Sequence, residues 1–162
     1  MNPEAKRIIE LLGLEAHPEG GFYHQTFRSD IELEGLPQGS RPASTAIYFL
    51  LPAGSFSAWH KVSSDEIWHH YQGDAAELHL ISPAGEHRVL VLGQDLEKGE
   101  RPQAVVPANY WQAAICLGAR FSLFGCTVAP GFDFSDFEMA LRNVLSAKYP
   151  EHRAAIERFT RD

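Results

Sequence analysis

The feature that most constrains the fold is a series of eight short strand-like runs between Thr45 and Val128. The runs are rich in β-branched and aromatic residues, and turn sequences such as Pro52-Ala53-Gly54 and Pro83-Ala84-Gly85 separate them. Strands at such short spacing pair with their neighbours in an antiparallel sandwich or barrel, because parallel strands would need long helical crossovers. The predicted strands are residues 45–51, 55–61, 66–72, 75–81, 87–92, 103–107, 111–117 and 121–128.

Helices are predicted on both sides of this β-rich region. Pro3 stands near the start and Gly13 at the C-cap of an amphipathic helix over residues 3–13. Ser135, followed three residues later by Glu138, has the pattern of a capping box and predicts helices over about residues 135–160. The 162 residues therefore predict a single, mainly β domain whose core covers about residues 20–130.

Charge and composition exclude some classes of function. The formal net charge is −7, and Lys6-Arg7 is the longest basic cluster, so we expect no nucleic-acid binding. No run approaches the roughly 18 apolar residues of a membrane span, and the first residues lack the pattern of a signal peptide. We therefore expect a cytoplasmic protein without a membrane partner, in which Cys116 and Cys126 are free buried thiols.

Chemistry-bearing side chains concentrate between residues 54 and 73. Strand alternation puts Glu66, Trp68 and His70 on one face, and Phe56 and His60 on one face of the preceding run. If both faces point inward, the two histidines and the glutamate converge on one pocket. Such a cluster can form an acid/base pair or supply ligands to a divalent metal, and the residues alone leave both open.

The spacing of these residues resembles a known family. Gly54, His60, Glu66 and Gly73 stand at the intervals of the first motif of the cupin superfamily, and Pro107 to Gln112 resemble the core of its second motif. The stretches HPEGGFYHQTFRS, FSAWHKVSSDEIWHHYQGD, VPANYWQAA and GCTVAPGFDFSDFEMA resemble a small single-domain cupin family of unassigned function. The resemblance implies a double-stranded β-helix, or jelly roll, with flanking helices and a homodimeric state.

Two positions depart from the superfamily pattern. Val62 stands where the first motif has its second histidine, and Gln112 where the second motif has its last. Only His60 and Glu66 remain of the four usual ligands, whereas a transition-metal site needs three or more. No cofactor is therefore favoured; a metal, if bound, would use His60 and Glu66 with His70 or Gln112.

Metal-free sugar-nucleotide epimerases of the superfamily suggest the function. By that analogy His60 is the base, Glu66 its partner, and His70 or a tyrosine, Tyr48 or Tyr23, the acid. The predicted ligand-binding residues are Arg28, Phe56, Trp68 and Gln112. The expected activity is isomerisation or epimerisation of a sugar-like or other polar carbonyl compound by proton transfer. Two alternatives stay open: a sensor or carrier without turnover, and a metal-dependent oxygenase or decarboxylase.

Overall fold

Two antiparallel sheets face one another across an apolar interior in the computed structural model, which describes residues 1–161. One sheet has six strands in the order β1-β2-β5-β12-β7-β10, and the other has five in the order β13-β6-β11-β8-β9. The remaining strands, β3 and β4, form a separate hairpin. The strands are β1 Glu15–Ala16, β2 Phe22–Arg28, β3 Glu32–Leu33, β4 Arg41–Pro42, β5 Thr45–Pro52, β6 Phe56–Lys61, β7 Asp65–Gly73, β8 Ala76–Ile81, β9 His87–Leu92, β10 Gln103–Val106, β11 Trp111–Cys116, β12 Phe121–Ala129 and β13 Glu138–Met139.

The interior between the sheets forms because alternate residues of both sheets point inward. Phe49, Trp68 and Phe124 from the six-stranded sheet meet Leu78 and Leu80 from the five-stranded one, and all five side chains are nearly inaccessible to water. Burying such side chains stabilises each by about 1.5–3 kcal/mol relative to exposure. The predicted two-sheet jelly roll, mainly β with flanking helices, is confirmed.

Three helices cover the outer faces: α1 Pro3–Leu12, α2 Arg142–Lys148 and α3 Arg153–Arg158. The first packs Ala5 onto the six-stranded sheet, and it ends at Gly13 in the left-handed conformation, as predicted. The other two pack Leu145 and Ile156 onto the five-stranded sheet around Trp59. No helix within residues 1–161 is long and apolar enough to cross a bilayer.

The predicted helix start near Ser135 is wrong. The side chain of Asp133 caps the segment by accepting a hydrogen bond from the Ser135 N–H, and only a 3-10 turn, Phe134–Asp136, follows. The chain then extends as β13, because Glu138 pairs with Lys61 at the edge of the five-stranded sheet. The first helix after the sheets begins at Arg142.

Candidate functional site

A cavity of about 370 Å³ lies within the jelly roll, between the inner faces of the strands and the segment 132–137. This volume is within the usual range for small-molecule pockets. The charged, imidazole and amide side chains that line the cavity are His17, Glu19, Gln25, Arg28, His60, Glu66 and Asp133. Its aromatic lining is Tyr23, Phe49, Trp68, Phe132, Phe134 and Phe137.

A bulge in β6 directs His60 into this cavity. Ser57 pairs with Ala114 and His60 with Gln112, so that two residues of β6 oppose one of β11. Trp59 consequently packs outward under α3, with its ring N–H donating to Ala155 O at 3.0 Å. The extra residue also places Phe56 on the outer face, against Phe159, so the predicted shared face of Phe56 and His60 is wrong.

His60 is held as a charged imidazolium. Its Nδ1 lies 2.7 Å from Ala58 O, which can only accept, and its Nε2 lies 3.0 Å from the carboxylate oxygen Oε2 of Glu19. Both ring nitrogens therefore donate. Burial alone would lower the pKa of His60, but the charge and hydrogen bond of Glu19 outweigh it and raise the pKa. With both ring nitrogens facing acceptors, His60 has no free lone pair in this geometry with which to serve as the predicted base.

Glu19 is the carboxylate that contacts His60, a position that the sequence had assigned to Glu66. It lies in the turn before β2, and its backbone carbonyl accepts a hydrogen bond from the Ala58 N–H at the β6 bulge. Burial favours its neutral form, yet the charge and hydrogen bond of His60 hold the pKa of Glu19 below its ordinary value. Glu19 and His60 are therefore a buried ion pair.

Glu66 lies on the inner face of β7, where its carboxyl is buried in the cavity wall. Burial raises the pKa of Glu66 to about 7, and the charge of Glu19 acts in the same direction, against the opposing charge of His60. Gln112 Nε2 donates to Glu66 Oε1 at 2.8 Å, and Gln112 Oε1 accepts from the Trp68 ring N–H at 2.9 Å. Gln112 is fully buried and does not line the cavity, so it orients Glu66 from behind.

His17 supplies a second imidazole to the cavity, and its ring is uncharged. Its Nδ1 accepts a hydrogen bond from the Glu19 N–H at 3.1 Å, which in the neutral ring leaves the proton on Nε2. Burial lowers the pKa of His17, so the ring is neutral at pH 7. Its ring centroid lies 4.6 Å from that of Tyr23.

A second bulge turns Arg28 toward the cavity. Gln25 pairs with Ile47 and Phe27 with Ala46, so that Thr26 is the extra residue of β2. Arg28 then shares the inward face with Tyr23 and Gln25, although strict alternation would have pointed it outward. Its side chain is half exposed, and its contact with Glu32 is 3.5 Å long.

Two predicted catalytic residues do not reach the cavity. His70 points inward from β7 but lies at the other end of the strand, where its Nε2 donates to Asp74 O at 2.9 Å and Gln94 contacts its Nδ1. Tyr48 lies on the outer face of the six-stranded sheet, because its neighbours Ile47 and Phe49 occupy the inner face. Neither residue joins His60 and Glu66.

The side chains around His60 do not suit a resident metal. Both ring nitrogens of His60 are committed, Val62 presents only carbon to the cavity, and the amide of Gln112 is shared between Trp68 and Glu66. Within residues 1–161 there is no group of three or more histidine, cysteine, aspartate or glutamate side chains arranged to hold a metal ion. The residues therefore do not fit a cupin metal centre.

Comparison with known proteins identifies the family of this chain. Residues 6–140 match the family model described as "Cupin superfamily (DUF985)". The chain belongs to this cupin family. Among curated proteins it is 33% identical over 146 residues to the uncharacterised protein YML079W of Saccharomyces cerevisiae, covering 81% of this chain and 72% of that protein.

Solved structures give the same fold. Protein SO0799 from Shewanella oneidensis superposes with a TM-score of 0.90 at 38% identity, over 99% of this cupin and 98% of that chain. Oxalate decarboxylase from Bacillus subtilis superposes with a TM-score of 0.58 at 13% identity, over 90% of this cupin and 36% of that chain. At such low identity the second likeness concerns the fold alone.

Sequence reasoning missed His17 and Glu19. Both stand in the stretch HPEGG, before the strand that carries Arg28. The available signal was the pair of glycines, since Gly20 and Gly21 both have positive φ and mark a tight turn that brings the preceding residues against the sheet. A histidine and a glutamate immediately before such a turn are candidates for a site on a rigid scaffold.

Proposed function

We propose that this cupin catalyses a metal-free isomerisation or epimerisation, moving a proton at a carbon next to a carbonyl group. The observation that carries the proposal is the burial of the Glu66 carboxyl in the cavity wall, which raises its pKa to about 7. A general acid/base works best when its pKa lies near the operating pH, because both protonation states are then populated. Glu66 also lines the cavity, where it can meet a substrate.

The roles assigned by analogy are revised by this geometry. The Glu66 carboxylate accepts the proton from carbon, and the electron pair moves onto the carbonyl oxygen to give an enolate. In an isomerisation Glu66 returns that proton to the neighbouring carbon of the enediol, while the hydroxyl proton moves between the two oxygens. In an epimerisation a second donor protonates the opposite face of the same carbon, and Glu66 then releases its proton to solvent. The positive charge of His60 lies in the same cavity and stabilises the enolate oxygen electrostatically. The neutral Nε2–H of His17 and the hydroxyl of Tyr23 are the donors for that oxygen.

The lining suggests the class of substrate. Aromatic rings form much of the wall and offer flat faces to a ring-shaped or compact molecule. Arg28 contacts Glu32 only at 3.5 Å with both side chains about half exposed, and such pairs contribute little free energy. Its guanidinium is therefore available to a carboxylate or phosphate, and we propose a small polar carbonyl compound with one such group.

The experiment is solvent deuterium incorporation by chelator-treated protein at pD near 7. The panel contains keto-sugars, their phosphates and small keto acids, with mass spectrometry as the readout. Glu66→Gln keeps the acceptor for Gln112 but removes the titrating group, and we expect exchange to fall by about 100-fold or more. Tyr48→Phe, on the outer face, is the matched control and should exchange at the parent rate.

The outcomes separate the candidate functions. Exchange that persists in Glu66→Gln would show that Glu66 is not the group that accepts the proton from carbon. Panel compounds that bind and raise the melting temperature without any exchange would favour a sensor or carrier. Exchange that chelation abolishes and added metal restores would favour the metal-dependent alternative. The homodimeric state and the cytoplasmic location stay predictions.

A further inference from the structure

Arg161 contacts the backbone on which the Glu19–His60 pair is built. It follows α3 by three residues, and its guanidinium donates from Nη1 to Glu19 O at 2.7 Å and from Nη2 to Phe56 O at 2.8 Å. The guanidinium carbon also lies 4.3 Å from the ring centroid of Phe56. One planar group therefore joins the turn before β2 to the first residue of β6.

The carbonyl of Glu19 has two donors on two different elements. Ala58 N–H reaches it at 2.8 Å from the β6 bulge, and Arg161 reaches it from the segment after α3. Ala58 also accepts the Nδ1 proton of His60, so the backbone of Glu19 and the ring of His60 are fixed to the same residue. The position of the Glu19 carboxylate relative to His60 thus depends on these contacts.

Gly20 makes the close approach possible. Its φ is +110°, and a Cβ there would clash with Phe56 O and lie 2.6 Å from Arg161 Nη2. The turn is therefore shaped so that the guanidinium fits between Glu19 and β6. Trp59 adds a further link, since its backbone N–H donates to Phe159 O at 2.9 Å.

We infer that Arg161 is a positioning residue for the Glu19–His60 ion pair, and that the segment after α3 is part of the scaffold of the site. The guanidinium acts through backbone carbonyls and does not line the cavity. Its planar fork suits two carbonyls in fixed positions, which a single ammonium group matches less well. The inference rests on the proposed function only for its effect on turnover, because its effect on His60 exists without substrate.

The experiment is a titration of ¹⁵N-labelled histidine side chains by NMR in the parent, Arg161→Met and Arg161→Lys. Loss of the fork lets Glu19 move from His60, so the His60 midpoint should fall by about one pH unit in Arg161→Met, a tenfold change in the ratio of charged to neutral rings. Arg161→Lys keeps the positive charge and one hydrogen-bond donor, so its His60 midpoint should lie between those of the parent and Arg161→Met. Arg153→Met removes a guanidinium that pairs with Glu157 on the surface of α3 and should leave the His60 titration unchanged.

If Glu19 and His60 kept their positions, removal of the Arg161 charge would raise the His60 midpoint, because a like charge near His60 is lost. An unchanged or raised midpoint in Arg161→Met would therefore overturn the inference. If Arg161→Met does not fold, Arg161→Lys carries the test, and a parent-like His60 midpoint in that variant overturns it. A lowered midpoint in a protein that exchanges no substrate would support the positioning role and leave the proposed reaction in doubt.

Discussion

Substitution of Glu66 by glutamine should stabilise the protein more as the pH rises. A carboxyl group whose pKa is raised on folding binds its proton more tightly in the folded state, so the parent loses stability between the unfolded and folded pKa values. For Glu66 these values are 4.5 and about 7. The shift corresponds to roughly 3 kcal/mol once the pH exceeds 7, and to less than about 1 kcal/mol at pH 5.

The variant Glu66→Gln removes this cost and keeps an oxygen that can accept from Gln112. The difference in free energy of unfolding between Glu66→Gln and the parent should therefore be larger at pH 8 than at pH 5, by roughly 2–3 kcal/mol. Urea denaturation at pH 5, 6, 7 and 8 measures this difference, and the Glu19–His60 pair contributes to both proteins. Glu10→Gln, which makes the same change of residue type at an exposed position of α1 outside the cavity, is the control. A difference that stays flat or shrinks with rising pH would contradict a raised pKa of Glu66.

Two further substitutions test the environment of His60. Glu19→Gln should destabilise the protein by about 3 kcal/mol at pH 7, since it leaves His60 buried without its partner, and should lower the His60 pKa. Urea denaturation and histidine NMR measure both effects, and an unchanged stability and titration would contradict the ion pair. Val62→His combined with Gln112→His restores the residue types of the two cupin motifs, and we expect about one bound divalent transition metal per chain. Elemental analysis beside the parent checks this, and equal metal contents would contradict the account of the ligand shell.

Strand alternation predicts the correct face of a side chain where the strand is regular. Glu66 and Trp68 line the cavity as predicted, because β7 keeps its two-residue period through both positions. His70 has the predicted face, but four residues at ~3.3 Å each place its backbone about 13 Å from that of Glu66. The sequence therefore predicts the face that a residue occupies. It does not predict whether the cavity extends far enough along the strand to reach that residue.

Bulges account for the positions that the sequence could not predict. An extra residue at Thr26 turns Arg28 inward, and an extra residue in β6 separates Phe56 from His60. Both faces of β5 are apolar, so periodicity could not decide whether Tyr48 or its neighbours point inward. Glu19 meets His60 only through the fold, since 41 positions separate them in the chain.

Glu66 in the cavity is expected to gain and lose a proton near neutral pH beside the buried Glu19–His60 pair. ¹³C NMR of carboxyl-labelled glutamate, with Glu66→Gln to assign the signal, measures the titration of Glu66 directly. We expect a midpoint at about 7 for Glu66. A Glu66 midpoint near its ordinary value of 4.5 would show that burial does not raise its pKa and would remove its assignment as the acid/base group.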